Sequence, residues 1–416
     1  MINNSAERIK LFEIFLWIFF LWYYMPIMRG FFYSGTYNLI FFTFYVCGIG
    51  LLLLRVIIQK KKIIIKFNVL FPVIIYFLFF SVLCFLDIGD AQRHIRVSFM
   101  FWGTLIVYYL TADYPCQRKR LVIFALIMLV VTFITSMYGV IMDPSAARTL
   151  TFAANDIAED LLLRIKNIGD IYFFQCTVIM VPIFITFILK NYKRKFCFIV
   201  LVLSLYALIS ASFTISLILY FVAIVLSYIS NKRFTSKVMI ISALLVIILV
   251  IPWEDILFFL SSNIKNEWIS NRLQSVAISD EQGGNVGLLG NRVNLYASSL
   301  HTFANNVFGI GPEYSYRMYD NGIGYHSQIL DDLARYGIAA IIFYGCFFRS
   351  YYVLLVKQWK QINMEEVAMP IIIIYICFLF LNPGFTSAYE SVMMFLIIPL
   401  LPELILDNRK EPNVRK

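Results

Sequence analysis

Charge is scarce in this chain. Only 14% of its 416 residues are Asp, Glu, Lys or Arg, while 61% are hydrophobic. Soluble domains carry about 25% charge, so the composition excludes an ordinary water-soluble globule. Histidine is rarer still, with three in the whole chain. The seven cysteines form no CxxC and no Cys/His cluster, so neither a disulfide framework nor a bound metal is expected. Cys47, Cys84, Cys176, Cys197, Cys346 and Cys377 fall in or at the edges of apolar runs and read as small packing residues. Cys116 lies in a basic loop. Internal repeats, low-complexity tracts and linkers are also lacking.

Long apolar runs are what the sequence has in abundance. Twelve are long enough for a bilayer, near 11–28, 36–58, 67–86, 97–112, 121–142, 171–189, 196–211, 213–230, 238–252, 336–356, 367–381 and 390–406. The first follows Arg8 and Lys10 without a small-residue cleavage site, so a retained anchor is expected. The fold class this predicts is an all-α polytopic membrane protein of about twelve transmembrane helices. The chain divides into helices one to nine (1–252), a long polar segment (253–335), and the last three helices with a polar tail (336–416).

Basic residues follow a pattern along the chain. Alternate loops are rich in them: "RVIIQKKKIIIK", "CQRKR", "KNYKRK", "NKRFTSK", "VKQWK" and the tail "DNRKEPNVRK". Lys and Arg are retained on the cytoplasmic side, so both termini are expected in the cytoplasm and the 253–335 segment outside. The net charge of +10 is thus a topology signal and not a nucleic-acid footprint. Among the outward-facing segments only two lysines occur, Lys166 and Lys265, against nine arginines. Arginine suits bidentate recognition of phosphate or carboxylate, although pairing with outer acids would also account for it.

Three outer segments carry candidate residues. "DIGDAQRHIR" sets Arg93, His94 and Arg96 just before a membrane helix. The second contains an amphipathic stretch from Ile157 to Ile168 that includes Arg164 and is expected on the membrane surface. In the third, Asn291 can cap a helix beginning at Arg292, with Val293, Tyr296, Ala297, Leu300 and Ala304 on its apolar face. A helix N-terminus there would favour an anion beside Arg292; a simpler reading has Arg292 snorkelling to the interface. His326 precedes "SQILDDLARYGI", where Asp331 and Arg335 are spaced to pair. Tyr314, Tyr316, Tyr319 and Tyr325 suit either sugar stacking or an interfacial belt.

The succession "NRLQSV", "GNRVNLYASSLHTFANNVFGIG" and "YHSQILDDLARYGI", spanning about 270–340, resembles the outer loop of bacterial O-antigen polymerases and ligases, including Wzy-type repeat-unit polymerases. The resemblance implies a GT-C-like, metal-independent glycosyltransferase without cofactor, in the bacterial cytoplasmic membrane. Its substrate would be an undecaprenyl-diphosphate-linked glycan, polymerised at the outer face into O-antigen, capsule or exopolysaccharide. A chain-length regulator and a flippase would be its partners. Carried over, Arg292 contacts the diphosphate, His326 acts near the acceptor hydroxyl, and Arg272 is a second phosphate contact. Arg317, Arg93, Arg96 and Arg164 are further candidates. Ligases often carry a Ser-Arg pair between two adjacent membrane helices; here Ser212 is followed by Phe213, which favours a polymerase. A lipid-linked glycan transporter is the alternative from another class. Such proteins place charges or broken helices at mid-membrane, whereas Glu13, Arg55 and Glu390 fall near helix ends here.

Overall fold

A computed structural model describes residues 9–59, 67–86, 91–143, 146–147, 150, 157–211, 213–231, 262, 270, 287–312, 322–385 and 387–410. The described residues contain helices and no strand. In chain order they are α1 (Leu11–Tyr24), α2 (Pro26–Phe31), α3 (Gly35–Ile58), α4 (Phe67–Phe85), α5 (Ala91–Leu110), α6 (Pro115–Met142) and α7 (Ile157–Ile165). There follow α8 (Ile171–Ile179), α9 (Val181–Leu189), α10 (Arg194–Ser210), α11 (Thr214–Ser230), α12 (Gly287–Asn305), α13 (Gln328–Tyr336) and α14 (Ile338–Lys360). A 3₁₀ turn at Glu365–Val367 leads into α15 (Ala368–Leu381), and α16 (Ala388–Val392) runs through a π turn at Met393–Ile397 into α17 (Ile398–Lys410).

Five stretches are long and apolar enough to cross a membrane: Gly35–Ile58, Pro115–Met142, Ile171–Leu189, Ile338–Lys360 and Tyr389–Asp407. Leu11–Tyr24, Leu70–Phe85, Ile95–Leu110 and Ile215–Ser230 are shorter apolar helices. The chain is an all-α membrane protein. The apolar run at 238–252 and residue Ser212 lie outside the described residues. Large apolar side chains are exposed along α3, α6 and α10, among them Leu39, Ile134 and Phe198, as a hydrocarbon solvent permits.

Backbone irregularities have local causes. Pro182 opens α9 and divides the 171–189 span at Met180, since proline removes a helical donor. In the π turn the Tyr351 hydroxyl donates to the Met394 carbonyl. Just before it, the Ser391 hydroxyl reaches the Phe101 carbonyl (2.7 Å) and Thr104 Oγ1 (2.8 Å), pinning α16 to α5. The core there is aromatic: Trp102 packs against Phe347, Phe385 and Phe395, with centroids 4.9–5.5 Å apart. Small residues bring other helices close. A Cβ on Gly103 would lie 2.6 Å from the Tyr45 hydroxyl, and one on Gly48 would lie 3.1 Å from Leu16.

The helix termini gather at two ends of the bundle. At one, Arg120 makes two 2.8 Å bonds to Glu13, Arg118 reaches Glu403 and Lys190 reaches Glu366. At the other, the loop end, α12 packs against α13, Gln328 of α13 is tied to Asn382 and Phe385, and α2 packs against α7 and reaches Tyr389 through Arg29.

Candidate functional site

The loop end is built on α12. The helix begins at Gly287, so Arg292 sits in its second turn and Asn291 is inside it. The expected cap at Asn291 and anion site at the helix start beside Arg292 are therefore corrected. The expected apolar face is corrected as well. Leu300 is exposed, as are Ala297 and Ala304, while Leu295, Ser299 and Thr302 are buried. The small polar residues face inward because they hold a loop. Thr302 Oγ1 donates to the Gly322 carbonyl (2.6 Å), and Ser299 Oγ accepts from the Gly324 amide (2.9 Å). A Cβ on Gly324 would lie 2.1 Å from the Leu295 carbonyl oxygen, so only glycine allows that approach.

Beyond α12 the chain turns at Gly309 (φ 83°) and lies against the end of α13. The Ile310 amide donates to the Ala334 carbonyl (3.0 Å), Gly311 to Arg335 (2.9 Å), and Ile338 back to Val307 (2.9 Å). Gly309 and Gly337 both face backbone so closely that a Cβ would fall within 2.1 Å of a carbonyl oxygen.

Two adjacent buried carboxylates organise α13. Asp331 accepts the Ser299 hydroxyl (2.7 Å) and the Ser327 amide (3.2 Å). Burial pushes its carboxyl up to about 6, against the opposing pull of the Ser299 hydrogen bond and Arg335. Asp332 takes Tyr344 Oη (2.6 Å), Gln328 Nε2 (2.8 Å) and Arg335 Nη1 (3.4 Å). Burial raises its carboxyl also, opposed first by Arg335. Arg335 thus pairs with Asp332 and not, as its spacing suggests, with Asp331. Asp331 faces α12, where Ser299 and the start of α13 use both its oxygens. Gln328 ties α13 to the far side: its amide donates to the Asn382 carbonyl (3.3 Å) and its Oε1 accepts from the Phe385 amide (3.2 Å).

His326 stands just before the Ser327 cap of α13, half-buried, with Nδ1 3.2 Å from the Tyr325 carbonyl. With Nδ1–H donating there, Nε2 keeps the lone pair. Tyr325 has φ 54°, a left-handed conformation that costs a bulky residue on the order of 1 kcal/mol. The Arg335 guanidinium lies over its ring at 5.2 Å. Loop anchors, a capped helix and this backbone twist together fix where the imidazole projects. A half-buried imidazole with a defined acceptor nitrogen can take a proton from a hydroxyl.

The candidate arginines are dispersed. Arg272 and Arg317 lie outside the described residues, as do Tyr314, Tyr316 and Tyr319. Arg292 is on α12 and Arg93 on α5, with side chains outside the description. Arg96 is exposed on α5. Arg164 is half-buried in the last turn of α7, which forms within the expected Ile157–Ile168 stretch. Among the described residues no three His, Cys, Asp or Glu side chains gather as a metal site.

Several residues at the loop end escape a linear reading. Arg29 donates to the Tyr389 hydroxyl (2.8 Å) across 360 positions of sequence. Glu390 is wholly buried, and neither carboxylate oxygen has a hydrogen-bond partner among the described residues. A glutamate inside the run "AYESVMMFLII" was the available signal for the latter.

No curated protein matches the chain. The family model described as O-antigen ligase matches residues 177–345. That stretch runs from the end of α8 into α14 and includes α12, His326 and the paired aspartates. It covers the segment whose motifs resemble O-antigen polymerases and ligases, and over these residues the chain is similar to that family.

Proposed function

We propose that the protein is a glycosyltransferase that polymerises oligosaccharide repeat units carried on undecaprenyl diphosphate. In this reading about twelve helices span the bacterial cytoplasmic membrane, both termini are cytoplasmic, and the loop end faces outward. The acceptor hydroxyl loses its proton to His326 Nε2 as its oxygen bonds to the donor's anomeric carbon. The bond from that carbon to the diphosphate oxygen breaks, and the lipid diphosphate leaves. Cations near the departing phosphates stabilise the charge that develops, and Arg292, Arg272, Arg317, Arg93, Arg96 and Arg164 remain the candidates. Holding two lipid-linked glycans in contact supplies a further large part of the rate.

The observation that supports this best is His326, half-buried at the head of α13 with Nδ1 against the Tyr325 carbonyl. The test is a His326→Ala strain in a bacterium that also carries a ligase. Surface lipid should bear one repeat without a ladder, because loss of a general base typically costs 10²–10⁴-fold. An unchanged ladder would remove His326 as the base. Absence of even the single repeat would point to transport. A ligase is the second reading, favoured by the family model's own description. It predicts instead that polymer accumulates on the lipid carrier in the variant.

A further inference from the structure

α12 presents three faces. Tyr296, Ser299 and Thr302 turn toward the protein: the Tyr296 hydroxyl donates to the Leu381 carbonyl (3.1 Å), Ser299 to Asp331 (2.7 Å) and Thr302 to the Gly322 carbonyl (2.6 Å). The exposed residues divide into two sectors at helical spacing. Asn294, His301 and Asn305 form a polar one, in which the His301 ring is hydrogen-bonded to the Asn305 amide (3.1 Å). Ala297, Leu300 and Ala304 form an apolar one beside it, with Leu300 46% exposed. A helix packed on protein and otherwise bathed in water gains nothing from the second sector, because its apolar surface would stay hydrated.

The apolar sector does not stop with the helix. Val307 and Phe308 follow it, 47% and 87% exposed. They are fastened to the head of α14. The Ile338 amide donates to the Val307 carbonyl (2.9 Å), and a Cβ on Gly337 would lie 2.5 Å from the Phe308 carbonyl carbon. α14 is long and apolar enough to cross a membrane, and Ile338, Ile341 and Ile342 are exposed together on one side of it. Isoleucines exposed on such a helix face hydrocarbon. The strip is therefore continuous: it begins on a lipid-facing helix, crosses a turn held by backbone bonds, and runs onto α12. A helix with one apolar sector and one polar sector, joined to the head of a membrane-crossing helix, belongs where hydrocarbon gives way to water.

We propose that α12 lies in the membrane interface, with Ala297, Leu300, Ala304, Val307 and Phe308 against the acyl chains of the leaflet at the loop end. Its polar sector then faces water. Its third face carries the loop that leads to His326, through the bonds of Thr302 to Gly322 and of Ser299 to Gly324. The imidazole is thereby held at headgroup height, whatever reaction it serves. This surface is independent of the polymerase reading.

The test is photocrosslinking of the full chain in vesicles of phosphatidylethanolamine and phosphatidylglycerol. The probe p-benzoylphenylalanine replaces Leu300, Phe308, Asn305 or, as the lipid-facing reference, Ile342. Phospholipid adducts at Leu300 and Phe308 should approach the yield at Ile342 and exceed that at Asn305 several-fold. A smaller probe guards against a disturbed turn: Phe308→Trp should add fluorescence that chain-brominated lipid quenches, whereas the fluorescence added by Asn305→Trp should be spared. Lipid yields at Leu300 and Phe308 no higher than at Asn305 would overturn the proposal. So would crosslinks that join two copies of the chain or reach another segment of the same copy, and so would added fluorescence in Phe308→Trp that the brominated lipid leaves unchanged. An Ile342 reference without lipid adducts would overturn it too, since the strip would then have no lipid-facing end. None of these outcomes touches His326 as the base, which the ladder of the His326→Ala strain decides.

Discussion

The two ends of the bundle treat charge differently. At the end where α6 begins, acids meet bases: Glu13 with Arg120 at 2.8 Å, Arg118 with Glu403 at 3.1 Å, Lys119 with Asp407 at 3.4 Å, and Lys190 with Glu366 at 2.6 Å. At the loop end neither Arg29 Nε nor the Glu390 carboxylate has a hydrogen-bond partner among the described residues, and Asp331 spends its oxygens on a hydroxyl and an amide. Paired charges fasten helices whose ends would otherwise drift. Charges kept apart are available to something else, at an energetic cost that only a ligand or a reaction repays.

The sharpest test of the fastening role is Arg120→Ala. It leaves the wholly buried Glu13 carboxylate without its two guanidinium bonds, and removing one partner of a buried pair costs about 3–5 kcal/mol. The unfolding midpoint in detergent should fall steeply; a midpoint within error of wild type would show these pairs to be ornamental. Next comes Gly309→Ala at the loop end. The new methyl would stand 2.1 Å from the Arg335 carbonyl oxygen on a backbone at φ 83°. A loss of about 3 kcal/mol is expected, confined to the loop end and visible as faster hydrogen exchange in α12 and α13.

A smaller effect should come from pH. Asp331 holds its proton in the fold up to about 6, against 3.8 for an ordinary aspartate. Between those values the folded chain binds more protons than the unfolded one. The contribution of this group to stability is therefore greatest below pH 4, falls as pH rises through 4 to 6, and is level above. The fall should be about 3 kcal/mol and should vanish in Asp331→Asn. Equal α12 protection at pH 4 and pH 7 would contradict it. The smallest effect belongs to Glu390→Gln, which loses no hydrogen bond among the described residues and keeps its shape. It should move the midpoint by less than ~1 kcal/mol. A large drop would mean that Glu390 is a fastener after all and would erase the contrast between the ends.

How much of this could be read in the linear chain depended on the range of the forces involved. Hydrophobic runs located most of the helices, because in a membrane protein the solvent itself sets the length of an apolar segment. The resemblance located the segment around His326. The face of α12 was read the wrong way round, because Ser299 and Thr302 turn inward to bind a loop 25 and 20 residues away. The partner of Arg335 was misjudged by one residue, since Ser299 had already claimed Asp331 from another helix. Arg29 and Tyr389 meet only through tertiary folding, and no local periodicity announces such a pair.

Gln328 carries a consequence for how such a chain can drift over generations. One side chain donates to Asp332 and accepts from Phe385, while its own amide meets Asn382. Glutamate at 328 would lose the donor and set a second negative charge against Asp332, and asparagine would fall a methylene short. The position therefore accepts almost nothing singly. A lineage could leave glutamine there only by changing 332 in step, so that positions 328 and 332 should vary together or not at all.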